Sequence, residues 1–303
     1  MIKRTLYFGN PAKLSLHNRQ LLAEMHEPEQ ERRSVTVAVE DVGVVILDSP
    51  QLTVTQPLLE ALLENNAAVI TCSNNHMPHG LLLPLEGNTI QQERFDDQLA
   101  ASLPMKKQLW QQTVVAKISN QKRLLDVQGF DTEPMNHWIR SVKSGDPDNL
   151  EGRAAAYYWK TLFSRDNVDA FVRGRYEDEP NNLLNYGYAV LRAVVARSLV
   201  ATGLLPTLGI HHANRYNAFC LADDIMEPYR PFVDRVVVEI VRSGESYAEL
   251  TRELKAKLLV IPALDVNIEG KGSPLMVAMQ RTTASLAGCF AGSTRRILYP
   301  TLE

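Results

Sequence analysis

Three short segments place ionisable side chains where helical patterning calls for apolar ones. The first reads Gly145-Asp146-Pro147-Asp148-Asn149-Leu150-Glu151-Gly152-Arg153. Asp-Pro-Asp-Asn starts helices well, and a carboxylate in the first turn is favoured by the helix dipole. Taken alone, Glu151 reads as such an N-terminal acid. The second segment is Leu208-Gly209-Ile210-His211-His212-Ala213-Asn214. Adjacent histidines point in different directions on any regular element, so one of the two serves a given site. Either a metal ligand or an ordinary hydrogen-bonded histidine satisfies this pattern. In the third, Asp223-Asp224-Ile225-Met226-Glu227-Pro228-Tyr229-Arg230, Asp224 and Glu227 are three apart and share one helical face. Two like charges there need a cation, an arginine or a proton, and Arg230 is placed to supply structural relief.

Together, one histidine and two carboxylates make an oxygen-rich mixed site suited to Mg2+ or Mn2+, without the thiolates of structural zinc. Such an ion activates a hydroxyl and neutralises charge on a phosphoryl group in transit. Spacing alone leaves open whether Glu151 and His212 meet in space.

The elements that must position these residues fall into two halves. Val35, Val37 and Val39, then Val42 to Leu47, read as two strands joined by an acidic turn at Glu40-Asp41. Residues 51–55 and 67–72 read as further strands, with a short helix over 57–63. After Pro84-Leu85-Glu86-Gly87-Asn88 the windows become long and helical: 103–128, 151–163, 182–202, 231–242 and 273–296. In 182–202, Leu184, Tyr188, Leu191, Val195 and Leu199 recur at three- and four-residue steps, and Val190 and Val194 occupy another face. That helix is therefore central. Residues 173–180 read as a solvated loop. The expected fold is α+β, a small β-rich domain over 1–85 followed by a larger all-helical domain over 86–303.

Of 303 residues, 45% are hydrophobic and 22% charged, which excludes a disordered or collagen-like chain. Cys72, Cys220 and Cys289 are scattered without metal-binding spacing. No apolar run of about 18 residues exists to span a membrane, and the first residues lack a signal-peptide core. A reducing cytoplasm is the expected setting.

The string Glu151-Gly152-Arg153-Ala154-Ala155, the helix opening Asn182-Leu183-Leu184-Asn185-Tyr186-Gly187-Tyr188, the turn Gly209-Ile210-His211-His212 and the segment Asp224 to Pro231 occur in this order. Together they resemble the CRISPR-associated integrase of spacer acquisition, the first-numbered Cas protein, over the whole chain. The look is closest to members accompanying single-effector, type II systems. The resemblance implies a metal-dependent integrase and endonuclease that joins the 3′-hydroxyl ends of captured DNA to a CRISPR repeat. By position it implies Glu151, His212 and Glu227 as catalytic ligands of Mg2+ or Mn2+. Many relatives carry Asp at the third place, so Glu227 departs from the commonest pattern. Asp224 matches an auxiliary acidic position. Tyr188 is either a phosphate contact or core. Asn185 and Arg192, two turns apart on one helix, either face DNA or make buried polar contacts. The implied partners are double-stranded DNA, a second copy of the chain in a homodimer, a small dimeric adaptation subunit and other type II proteins; none is a membrane.

The net charge of -3 at first argues against a nucleic-acid partner. Residues 1–89 hold 6 basic and 10 acidic residues, however, and residues 90–303 hold 26 and 25. Within 103–143 seven basic residues, including Lys106, Lys107, Lys117, Lys122 and Arg123, face three acids, and the balance over 252–296, with Arg295 and Arg296, is the same. Local clusters of this kind suit phosphate contacts, or else solvated helix faces. The acidic first half suits dimer and partner contacts. No base-reading module is present, so recognition of DNA shape, ends and backbone is expected. The competing readings are a related integrase or structure-specific nuclease outside CRISPR, and a non-catalytic DNA-binding scaffold.

Overall fold

Apolar residues alternating with polar ones, broken by short turns, make the first unit a paired-sheet structure. The structure is a computed structural model that describes residues 3–25, 33–166, 168, 171–174 and 177–303. Its strands are β1 (Arg4–Phe8), β2 (Ala12–His17), β3 (Gln20–Met25), β4 (Arg33–Ala38), β5 (Val42–Leu47) and β6 (Leu52–Val54). Helix α1 (Gln56–Glu64) follows, then β7 (Ala68–Cys72) and β8 (Pro78–Leu82). One sheet has the order β1-β5-β7-β8 and the other β4-β3-β2-β6. Strands β1, β5 and β7 run parallel, and β8 is antiparallel to β7. Leu14, Leu21 and Val37 of one sheet, Val45 and Val69 of the other, and Leu58 and Leu62 of α1 form the core.

The acidic turn at Glu40-Asp41 does not close a hairpin. It is a short 3-10 turn carrying the chain from β4 in one sheet to β5 in the other. The β2–β3 hairpin was not visible in the pattern because its turn is Asn18-Arg19, both at positive φ (50° and 60°). Arginine is not a residue whose presence signals such a turn.

The chain divides into two compact units, Met1–Gly87 and Asn88–Glu303. The second unit contains α2 (Gln91–Ala100), α3 (Leu103–Val127), α4 (Glu133–Ser141), α5 (Leu150–Leu162), α6 (Asn181–Ala201), α7 (Cys220–Met226) and α8 (Arg230–Arg242). It closes with α9 (Arg252–Leu258), the antiparallel pair β9 (Asp265–Ile268) and β10 (Lys271–Pro274), and α10 (Leu275–Phe290). The pair corrects the all-helical expectation. Glu269 and Gly270, both at positive φ, turn the chain between two strands of four residues, too short for a clear alternation.

Helix α6 is buried on nearly every side and packs against α7, α8, α9 and α10. Gly187 permits the approach of α8, because a Cβ there would lie 2.5 Å from Val233 Cγ1. Helix α3 packs against α5 and against the 3-10 turn Glu227–Tyr229, so one long helix touches two of the segments that carry candidate ligands. No helix among the described residues is long and apolar enough to cross a membrane.

Candidate metal centre

Glu151 enters the site because another acid does the capping. Asp146 Oδ1 and Oδ2 accept from the Leu150 and Glu151 amides, each at 2.9 Å, and Asn149 Oδ1 accepts from Gly152. The first amides of α5 are thus satisfied. The Glu151 side chain meets the Lys117 ammonium at 2.5 Å.

Lys117 also lies 2.6 Å from Glu227 Oε2, while Arg230 lies 2.9 Å from Glu227 Oε1. Glu227 is 4% exposed and Lys117 7%. Burial works against both charges. The Arg230 and Lys117 cations nevertheless hold the Glu227 carboxyl below its usual range, and the Glu227 and Glu151 carboxylates together raise Lys117. Asp224 takes no part in this pairing. It is fully buried, and accepts from the Ile210 and His211 amides on Oδ2 (2.7 and 3.0 Å) and from the His212 amide on Oδ1 (3.2 Å). Its Oδ1 also meets His212 Nδ1 at 2.5 Å. That bond is the main cause of a raised His212 pKa, opposed by burial and supported by the negative charges of Asp224, Glu227 and Glu151.

His211 and His212 meet edge-to-face, with centroids 5.3 Å apart, and both contact Trp110 of α3. His211 stacks flat on the indole, with centroids 4.1 Å apart, whereas His212 meets it edge-on at 5.7 Å. With Nδ1 given to Asp224, the atom of His212 left to bind an ion is Nε2.

Two carboxylates and one oriented imidazole fit Mg2+ or Mn2+ in donor chemistry. Glu227 Oε2 is a buried oxygen that finds no hydrogen-bond donor in bonding geometry among the described residues, with the Lys117 ammonium 2.6 Å away as an ion pair. Among the described residues, no three His, Cys, Asp or Glu side chains close tightly enough to hold an ion as they stand. The Lys117 ammonium lies between Glu151 and Glu227.

Several residues sit elsewhere than the sequence suggested. Lys117 is not on an exposed basic face, since it falls on the buried stripe Trp110-Thr113-Val114-Lys117-Gln121 of α3. Lys122 pairs with Asp126 on its own helix, and Arg123 donates to the Leu302 carbonyl. Arg192 is exposed and forms a two-pronged bridge to Asp223, at 2.7 and 2.9 Å. Asn185 accepts from Arg173 at 2.9 Å. Lys106 is half-buried, whereas Lys107, Arg295 and Arg296 are exposed. The Gln112 side chain accepts from the Ile297 amide and donates to the Arg295 carbonyl, fixing that segment beside α3.

Tyr188 is core rather than surface. Its hydroxyl donates to Asp234 Oδ1 at 2.5 Å, Tyr158 donates to Oδ2 at 2.7 Å, and Arg173 and Arg230 both lie against its ring. Burial, only partly offset by these bonds, pushes the Asp234 carboxyl up to about 6. Arg173, expected in a solvated loop, is thus part of an ordered network. Sequence reading missed Trp110, Arg173, Tyr158 and Asp234. The usable signal was polar residues at core-facing steps of otherwise apolar helices.

The family model described as CRISPR associated protein Cas1 matches residues 6–259. The chain is 37% identical to a CRISPR-associated endonuclease Cas1 of Neisseria meningitidis over 99% of this chain and 96% of that one. It is 28% identical to a CRISPR-associated endonuclease Cas1 of Pyrobaculum aerophilum, over 81% and 86%. Among solved structures, a casposase bound to integration product shares the fold with a TM-score of 0.80 at 19% identity, covering 98% of this chain and 92% of that one. A Cas1 protein from Thermotoga maritima aligns with a TM-score of 0.75 at 17% identity, covering 95% and 97%. Matched by that family model over most of its length and by a relative over nearly all of it, the chain belongs to the CRISPR-associated Cas1 family.

Proposed function

We propose that this Cas1-family chain is the DNA-joining and DNA-cutting enzyme of CRISPR adaptation, with Glu151, His212 and Glu227 as its metal-binding catalytic residues. The observation that carries the assignment is the convergence of α5, the His212 turn and the α7–α8 junction on one buried lysine and one aromatic ring of α3. The full-length likeness to a named endonuclease supports the enzymatic class.

In this reading a 3′-hydroxyl of a captured fragment attacks a phosphodiester at the edge of a repeat. The new P–O bond replaces the one to the flanking strand's 3′-oxygen, which leaves and takes up a proton as a free 3′-hydroxyl, and water in place of the attacking hydroxyl gives cleavage. A bound Mg2+ or Mn2+ supplies charge neutralisation on the phosphoryl oxygens and favours the ionised hydroxyl. Asp224 holds His212 in one tautomer and orientation, and Arg230 holds Glu227. Asp146 fixes the start of α5, and with it the Glu151 backbone. These contacts pre-set the positions on which in-line attack depends. Lys106, Lys107, Arg295 and Arg296 serve phosphate contacts.

The β-rich unit serves assembly, as a homodimer and with a small dimeric subunit. Its support is the acidic balance of residues 1–89 and the edge strand β4, exposed from Arg33 to Thr36. A Cas6-RT-Cas1–Cas2 complex among the fold neighbours points to the same kind of small partner. The other type II partners and a cytoplasmic setting belong to this reading. A related integrase outside CRISPR is favoured by the casposase likeness alone; a repeat array flanking the gene decides against it, and mobile-element terminal repeats decide for it.

The test combines the purified chain, its small partner, a short duplex with free 3′-hydroxyls and a supercoiled repeat plasmid. Joining is expected only with Mg2+ or Mn2+, and is lost in Glu151→Ala, His212→Ala and Glu227→Ala with folding intact. Joining that survives EDTA overturns the metal mechanism, and joining that survives all three substitutions overturns the residue assignment.

A further inference from the structure

A lysine buried between two carboxylates needs a reason beyond stability. Lys117 reaches Glu151 at 2.5 Å and Glu227 at 2.6 Å, from a helix whose neighbouring turns supply Trp110 to both histidines. Glu227 has a second cation in Arg230, but the ion-pair partner of Glu151 among the described residues is Lys117. The Lys117 side chain is 9% exposed, so its ammonium has exchanged most of its water for these two acids. Breaking one member out of such a group leaves an uncompensated buried charge.

A divalent ion shared by the same carboxylates would sit about 2.1 Å from their oxygens. That is the space the ammonium occupies, and two cations about 3 Å apart in a poorly hydrated site repel strongly. The ion and the ammonium are therefore alternatives. Resting on the proposed metal assignment, we propose that Lys117 is a resident counter-ion that competes with the divalent metal for the Glu151–Glu227 pair. It holds the carboxylates together in the metal-free protein and must leave them when the ion binds. The lysine sets how readily the enzyme loads metal, independently of any contact it makes with DNA.

The experiment measures Mn2+ binding to the full chain without DNA, following free Mn2+ by electron paramagnetic resonance. Wild type is compared with Lys117→Met, Lys117→Arg and, as controls for the site, Glu151→Gln and Glu227→Gln. Lys117→Met is expected to bind Mn2+ about tenfold more tightly or better, since two acids lose their internal cation. Lys117→Arg keeps a cation and is expected to bind no more tightly than wild type. Without metal Lys117→Met should melt lower than wild type, and Mn2+ should raise its melting temperature by the larger increment.

Equal or weaker Mn2+ binding by Lys117→Met, with binding lost in the glutamate controls, overturns the competition and leaves the metal assignment standing. Mn2+ binding unchanged in the glutamate controls, or absent from wild type and Lys117→Met alike, overturns both. Should Lys117→Met fail to fold, acylation of lysines in the wild-type chain read by mass spectrometry decides. Lys117 is expected to be protected without metal and labelled with saturating Mn2+, and protection unchanged by bound Mn2+ overturns the inference.

Discussion

His212 Nδ1 lies 2.5 Å from Asp224 Oδ1, and the same carboxylate accepts from the backbone amides of residues 210, 211 and 212. One buried acid thus fixes both the loop and the ring it presents. Asp224 stands three residues before Glu227, so a single turn of chain carries one candidate ligand and the group that orients another.

Replacing Asp224 by Asn keeps the shape but removes the charge and one acceptor oxygen. Loss of a ring-orienting partner typically lowers metal affinity by about 10- to 100-fold. Leaving buried amides short of an acceptor costs roughly 1–3 kcal/mol. Asp224→Asn should show both effects, in Mn2+ titration and in chemical denaturation, and unchanged values in both would contradict the role given to this acid.

The pH response of the same pair has a definite sign. The Asp224 hydrogen bond raises the His212 pKa, and only the neutral imidazole binds an ion. Metal binding should therefore weaken as pH falls through that raised value. In Asp224→Asn the acid limb should move to lower pH, as read by Mn2+ affinity against pH, and a limb that stays put assigns it to another group.

Asp234 gives a separate window. Its folded pKa, about 6, lies above the ordinary 3.8, so the native state favours the protonated form. The stability this contributes is present in full below about 3.8 and lost as pH rises through about 6. Wild type should lose roughly 2–3 kcal/mol relative to Asp234→Asn between pH 4 and pH 7. Denaturation of both proteins across this range checks it; parallel profiles would show that Tyr158 and Tyr188 compensate the charge fully.

Gly209 lies under the His212 turn, where a Cβ would fall 2.3 Å from the His212 carbonyl oxygen and 2.8 Å from Asp224 Oδ2. Backbone and a buried carboxylate cannot give way cheaply. Gly209→Ala should destabilise the protein by about 1–3 kcal/mol and weaken Mn2+ binding. A variant with wild-type melting and wild-type Mn2+ affinity would show that this loop rearranges freely.

Arg295 and Arg296 are exposed on a segment tied to α3 through Gln112. If they neutralise phosphates, Arg295→Ala/Arg296→Ala should weaken duplex binding and make the slope of log affinity against log salt shallower by about 0.9 for each phosphate left without its arginine. The melting temperature should not move. A fall in affinity without a change in slope would remove these arginines from the phosphate track.

Periodicity along the chain was enough to place α3, α5, α6 and α8 within a residue or two, because each carries its buried side at three- and four-residue steps. The same patterning marked Asp224 and Glu227 as like charges with Arg230 in reach and left His211 and His212 as alternatives; the choice of Glu151, His212 and Glu227 came from the motif resemblance. Neither could supply the partners that distant segments contribute. Lys117 counted as one of seven basic residues in a stretch, yet it lies on the stripe of α3 shared with Trp110, Val114 and Gln121. Within the helix-starting string Asp146 to Asn149, it is Asp146 that accepts from the Leu150 and Glu151 amides, a choice of acid that composition did not make. Spacing determines which side chains share a face of one element, whereas the charge or ring opposite that face comes from a segment tens of residues away. That pairing is settled only when the helices pack, and there Lys117 becomes the counter-ion of Glu151 and Glu227 instead of a surface contact for DNA.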